Sequence, residues 1–277
     1  MAVRYLLLVA MLAACNRASP PDTALRAPDG SPVPNGILGQ SIRRGHAILA
    51  ATHDSLPQHV GSALRCLSCH LGDGRQRDAL PLTGVYARFP QYRSRSATVQ
   101  RLEDRINECF QRSLSGTALA FDDPAMRDIV AYLAFVSLGV PVGGHVAGEG
   151  LQVGTALHGD TIAGAHVFQV RCARCHGVDG GGSTVAPPLW GPRSFSIGAG
   201  MARIRTATAF IRRNMPRDSA GTLTDAEALD VAAYVTSRPR PDFVGKEHDW
   251  PRGDAPPDVP YSTLAGKRDP AGSPNRP

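Results

Sequence analysis

The strongest constraint on this chain is a five-residue pattern written twice, Cys66-Leu67-Ser68-Cys69-His70 and Cys172-Ala173-Arg174-Cys175-His176. Two thiols at i and i+3 share one helical turn, where they can bond both vinyl groups of a porphyrin while the adjacent histidine reaches the iron. Zinc sites and redox disulfides are the rival uses of such spacing. Two copies in an exported chain point to c-type attachment, and so to two covalently attached haem c groups. The aromatic share is only 6%, so something other than tryptophan and tyrosine must help to fill the centres.

The two copies continue in parallel. Pro81-Leu82-Thr83-Gly84 and Pro188-Leu189-Trp190-Gly191 follow the histidines. This segment resembles the one in small cytochromes c whose proline carbonyl accepts a hydrogen bond from the proximal histidine. Each copy then ends in an expected helix with aspartate and tyrosine in step, Asp128 with Tyr132 and Asp230 with Tyr234. Asp123-Pro124 signals the start of the first, and Thr224 with Glu227 forms a capping box for the second. A chain of 277 residues suits two domains. The expected fold is all-α: two tandem cytochrome c-like domains with a C-terminal extended arm. They occupy residues 36–140 and 161–240, joined by a glycine-rich linker (141–160) and followed by a proline-rich arm (241–277).

The amino terminus reads as a targeting segment, with Arg4, the apolar run LLLVAML, and small residues in LAAC before Cys15. It is too short to span a bilayer. It resembles a bacterial lipoprotein signal (1–14), which would leave Cys15 as the lipidation site at the head of a flexible tether (15–35). A plain secretory signal would instead leave Cys15 an unpaired thiol in an oxidising compartment. The expected location is the periplasm, with membrane contact only through that lipid anchor. The formal charge is +6, carried mostly by arginine without blocks of like charge. For an exported protein this argues against nucleic acid and leaves small anions and acidic protein surfaces as partners.

Haem iron needs a sixth ligand or an open position. In the second copy Met215 lies 39 residues beyond the histidine (from 176 to 215), with Met201 as the alternative. In the first copy the same offset (from 70 to 109) lands on Cys109, the cysteine that belongs to no CxxC pair. A thiolate there would lower the potential of the iron and keep a nucleophilic sulfur beside it. A buried structural thiol, or a bis-histidine site using His46, His53 or His59, are the alternatives. If residues 100–114 are helical, Leu102, Ile106, Phe110 and Leu114 form an apolar stripe, and Arg105, Cys109 and Ser113 line the adjacent face. Arg93 and Arg95 come just before, where one of them would reach the same sulfur. Arginines beside a thiol lower its pKa and present planar forks to an oxyanion. A solvated basic face is the plainer reading, with Arg101, Arg105 and Arg112 pairing with Glu103, Asp104 or Glu108.

With LEDRINECFQRS, NMP and both CxxCH sites in hand, the sequence resembles the dihaem thiosulfate dehydrogenases that form tetrathionate, from about Gly36 to Tyr261. The resemblance implies that the first haem is ligated by His70 and Cys109 and the second by His176 and Met215. It implies that Cys109 is catalytic, with Arg95, Arg105 and Ser113 holding the anionic substrate. Some relatives carry a lysine next to the methionine that can also bind the second iron; here that position is Asn214. The implied reaction joins two thiosulfates and releases two electrons, which run from the first haem to the second and on to an electron-accepting cytochrome. In the expected mechanism Cys109 leaves the iron as it bonds the outer sulfur of one thiosulfate, and the second thiosulfate attacks that adduct. Tetrathionate reduction is the same chemistry reversed. A dihaem electron carrier without substrate is the reading from a different class, since electron transfer alone does not require arginine and serine beside the sulfur.

Overall fold

The computed structural model describes residues 32–267. The expected signal segment, Cys15, most of the tether and the end of the arm lie outside them.

Two helical lobes follow each other, each built on one crossing of its first and last helices. In the first lobe α1 (Gly36–Ala50) buries Gly39, Ile42, Gly45 and Leu49 along one face. It packs on the last helix of the lobe, Pro124–Phe135, which buries Met126, Ile129, Tyr132 and Leu133. The axes approach at Gly45, where a β-carbon would lie 2.0 Å from the Asp128 carbonyl oxygen. The Asp128 carboxylate is fixed there by Ser41 (2.6 Å) and by Arg44 (2.6 and 2.8 Å). The second lobe repeats the device. Gly164, in helix Thr161–Val167, meets the Asp230 carbonyl of helix Asp225–Ser237 at the same 2.0 Å. The aspartate and tyrosine that recur in the sequence thus mark the crossing point of each lobe.

The start signals form as expected. Asp123 accepts from the Ala125 amide at 2.7 Å with Pro124 in the first turn. Thr224 and Glu227 bond each other's backbone amides at 3.2 and 2.8 Å. The segment around Cys109 departs from a straight helix. An α-helix, α2 (Leu102–Glu108), gives way to a π-helical turn over Cys109–Ser113, closed by the Leu114 amide on the Cys109 carbonyl at 2.9 Å. Before it stands a short antiparallel hairpin, β1 (Gln91–Arg93) and β2 (Thr98–Gln100), an addition to the all-α plan.

The lobes are not independent beads. Phe195, Ala199 and Ala202 from the second half are buried in the core of the first lobe. The Ala63 amide bonds the Arg193 carbonyl (2.8 Å), and the Ser196 amide bonds the Arg112 carbonyl (3.1 Å). The linker is also held, with Arg88 paired to Glu149 at 2.6 Å and the Asp78 amide on the Gly148 carbonyl at 2.9 Å. The arm leaves the second lobe beside Gly191 and Ile197 and crosses onto the first. There Asp249 takes both terminal nitrogens of Arg112 at 2.7 Å and the Tyr261 hydroxyl at 2.6 Å, and the buried Trp250 bonds the Arg95 carbonyl at 2.8 Å. The plainer alternative for Arg112, a pairing within its own helix, is therefore replaced by a bridge to the arm, while Arg101 does pair with Asp104 (3.3 Å).

Gly45→Ala and Gly164→Ala force a β-carbon onto backbone and are each expected to cost about 1–3 kcal/mol. Gly150 has nothing within 4 Å of its would-be β-carbon, and Gly150→Ala should stay within about 0.5 kcal/mol. Thermal unfolding of the purified protein separates the two classes.

Candidate active site

Each CxxCH histidine is oriented by a backbone carbonyl. His70 Nδ1 lies 2.5 Å from the Leu80 oxygen, and His176 Nδ1 lies 2.8 Å from the Pro187 oxygen. A carbonyl oxygen only accepts, so Nδ1 carries the proton and Nε2 keeps its lone pair for a metal. The expected acceptors were Pro81 and Pro188; in both lobes the residue before that proline is used instead. Leu80 adopts a left-handed backbone (φ 52) to do so, a conformation a leucine takes only against steric cost.

None of the four motif cysteines forms a disulfide among the described residues. Burial pushes Cys66 up to about 11, Cys69 to about 12 and Cys172 to about 11, so these three stay uncharged at neutral pH. A cavity of about 1170 Å³ runs past Cys69, Cys172, Cys175, His176, Met201 and Met215, above the range of a single small-molecule pocket. The buried Thr83 hydroxyl has no partner among the described residues. Paired cysteines at the right spacing beside a metal-ready imidazole fit a covalently attached haem at each motif, and the unpartnered Thr83 hydroxyl adds a polar atom awaiting a partner in the first lobe.

Cys109 opens the π-helical turn and faces His70. Arg105 Nη1 donates to its sulfur at 3.1 Å, and the His70 side chain lies against the same sulfur. Burial pushes this thiol up, but the charge of Arg105 and the contact with His70 outweigh it and bring it to about 7. The charge of Cys109 in turn holds the Arg105 guanidinium above its ordinary value despite burial. Glu108 is the opposing carboxylate, 3.6 Å from Arg105 and tied to Gln100 at 2.8 Å.

The other expected site residues divide. Arg93 shares the field of Cys109, Arg105 and Glu108, and burial beside Arg105 lowers its pKa. Arg95 is turned to the seam between the lobes: its Nη1 donates to the Gly198 carbonyl at 2.7 Å and its guanidinium lies 4.8 Å over the Trp250 ring. Burial lowers Arg95 to about 10. Ser113 closes the π-helical turn, half-buried. The wider turn moves it round the axis from the face that a straight helix would have given it. Arg203, from the second lobe, was not foreseen. Its charge acts on Arg93, and its buried Nε lacks a partner among the described residues. No local signal announces it, because a long-range seam brings it there.

In the second lobe Met215 follows the last residue of the helix Ile204–Asn214, and it and Met201 both line the cavity with His176. His46 is bound to Asp73 (3.0 Å) and His59 to Thr117 (3.2 Å), while His53 stands on the cavity wall.

Residues 58–142 match the family described as SoxA/TsdA, cytochrome c domain, and residues 159–235 match cytochrome c oxidase, cbb3-type, subunit III. The chain is 45% identical over 253 residues to the thiosulfate dehydrogenase of Allochromatium vinosum, covering 87% of this chain and 93% of that one. It is 40% identical to the thiosulfate dehydrogenase of Psychrobacter arcticus, covering 85% and 74%. Among solved structures it resembles the thiosulfate dehydrogenase TsdBA from Marichromatium purpuratum, with a TM-score of 0.76 and 32% identity. That match covers 85% of this chain and 54% of the solved one. The chain thus carries two cytochrome c domains, each with one covalently bound haem c.

Replacing Cys172 and Cys175 together by alanine is expected to lower covalently bound haem from two per chain to one, measured as the pyridine haemochrome. A ratio still at two would reject the second attachment site.

Proposed function

Because the chain belongs to the thiosulfate dehydrogenase family, we propose that it joins two thiosulfates into one tetrathionate at Cys109. It is an oxidoreductase that oxidises thiosulfate with cytochrome electron transfer. The observation that carries the finer reading is the buried Cys109 sulfur held between His70 and the Arg105 guanidinium. In this reading His70 and Cys109 are the ligands of the first haem, and His176 and Met215 those of the second.

Two dianions must meet. Each pair of unit charges at 4 Å costs about 1 kcal/mol in water, so two dianions cost about 4, and several times more in a dry pocket. Arg105 on the sulfur, Arg93 in its field and Arg203 beside Arg93 supply fixed positive charge and oppose that repulsion without reorganising. Arg93 and Arg203 thereby take the second anion-binding role, and Arg95 acts through the seam. The Cys109 thiolate bonds the outer sulfur of one thiosulfate, and this sulfur–sulfur bond forms with loss of two electrons. The outer sulfur of the second thiosulfate then attacks the thiosulfate sulfur of that adduct. Tetrathionate leaves and the Cys109 thiolate is regenerated. The two haem groups supply the one-electron chemistry that takes up both electrons and hands them to an external cytochrome. Run backwards, the same exchange reduces tetrathionate. The LAAC segment before Cys15 supports a periplasmic protein held at the membrane by a lipid on that cysteine.

Thiosulfate-dependent reduction of an artificial acceptor should fall to background in Cys109→Ala and in Cys109→Met, even where methionine restores a six-coordinate haem. A carrier without substrate would show no such reduction in the unmodified protein. Arg105→Ala and Arg203→Ala each remove a charged hydrogen-bond donor worth about 1.5–3 kcal/mol. They should lower kcat/KM by roughly 10- to 100-fold, and unchanged kinetics would exclude the residue from the site.

A further inference from the structure

Asn214 is the last residue of helix Ile204–Asn214 and is only 1% exposed. Its side chain is fully engaged. Gln76 Nε2 donates to Asn214 Oδ1 at 2.9 Å, and Asn214 Nδ2 donates to the Asp78 carbonyl at 2.8 Å and to the Phe210 carbonyl at 3.1 Å. Two of these three bonds cross from the second lobe into the first.

The atoms they reach lie on one loop. Gln76 and Asp78 immediately precede Leu80, whose carbonyl holds His70. Asp78 (φ 57) and Leu80 (φ 52) are both left-handed, and such backbone persists only where its surroundings fix it. Around the same point Leu71, Ala79 and Phe210 form a buried cluster, with Leu80, Met201 and Met215 packed on it. Met215 is therefore seated partly on residues of the first lobe. A buried amide without partners would cost about 1–3 kcal/mol, whereas a fully paired one specifies a single arrangement.

We propose that Asn214 is a positioning residue that fixes the Met215 thioether by bolting it to the first lobe, so that the loop 76–80 holds one axial ligand of each haem in a single hydrogen-bonded frame. This rests on the reading of Met215 as the second haem's distal ligand and goes beyond it. The geometry at the two irons is then coupled through side chains that touch neither. Gln76 is the sharper probe, because it bonds Asn214 from the opposite lobe and is not a chain neighbour of the methionine.

The test uses the purified dihaem protein and three readouts: the methionine–iron charge-transfer absorption, the midpoint potentials of both haems, and thermal unfolding. Gln76→Leu and Asn214→Ala are each expected to weaken that absorption and to lower the potential of the second haem, since methionine ligation raises it. The double variant should be no worse than Asn214→Ala alone, because the two residues act as one unit. Wild-type absorption and potentials in Gln76→Leu would overturn the proposal, as would an Asn214→Ala protein changed only in unfolding temperature. If Asn214→Ala does not fold, Gln76→Leu and Gln76→Glu decide the matter by the same readouts. Absence of the methionine absorption from the unmodified protein, or its survival in Met215→Ala, would instead remove the ligand assignment.

Discussion

A sulfur that is to remain anionic inside a protein must be given a counter-charge, because burial alone drives a thiol to its neutral form. Before haem is attached, the thiols of Cys66, Cys69 and Cys172 obey that rule and are pushed well up. Cys109 is as deeply placed yet goes the other way, and the difference is the Arg105 guanidinium at 3.1 Å together with His70. Guanidinium groups crowded into one pocket lose water and repel each other in turn: burial first, and then the charge of Arg105, lowers the pKa of Arg93. Much of the surrounding architecture answers that second problem. Asp249 on the arm neutralises Arg112, Glu108 sits beside Arg105, and Arg95 is drawn to the Gly198 carbonyl and the Trp250 ring.

The division of labour between the lobes follows from one substitution at equal offset. Both lobes cross their terminal helices at a glycine, fix their histidine with a carbonyl and place a sulfur 39 residues beyond it. In one lobe that sulfur is a thioether packed among apolar side chains, which needs no counter-charge. In the other it is a thiol that ionises, and arginines have gathered around it. On the proposed function, nucleophilic chemistry would fall where the charge can be held and a stable electron-transfer site where it need not be.

What could be read from the chain alone was whatever is encoded locally. The haem attachment sites, the caps at Asp123 and Thr224, the Asp128–Tyr132 and Asp230–Tyr234 spacings, and the companionship of Arg105 with Cys109 are all short-range patterns, and each depends on residues within a few positions of one another. The carbonyl partners of His70 and His176 were misplaced by one residue: at Leu80 a left-handed turn invisible in a proline-leucine-x-glycine pattern presents the acceptor, and in the second copy the acceptor is the preceding proline, Pro187. Ser113 was placed by assuming 3.6 residues per turn where the chain forms a π-helical turn. Arg203 was missed and Arg95 misdirected for a common reason: both are decided at the seam between the lobes. There residues 193–202 enter the first core and the arm returns across it.

That seam makes the two lobes a single functional body. Phe195, Ala199 and Ala202 carry the second lobe into the apolar interior of the first, so the relative placement of the lobes is set by core packing rather than by the linker. The position of Arg203 is inherited from this contact, since it follows Ala202 directly. Asn214 reaches Gln76 and Asp78 across the same junction. A change in lobe orientation would therefore disturb the anion pocket at one end and the methionine loop at the other, although neither shares a side chain with the other. On the function proposed above, substrate binding and electron exit would be tied by a common rigid body, and the first lobe would have no complete site of its own without the second.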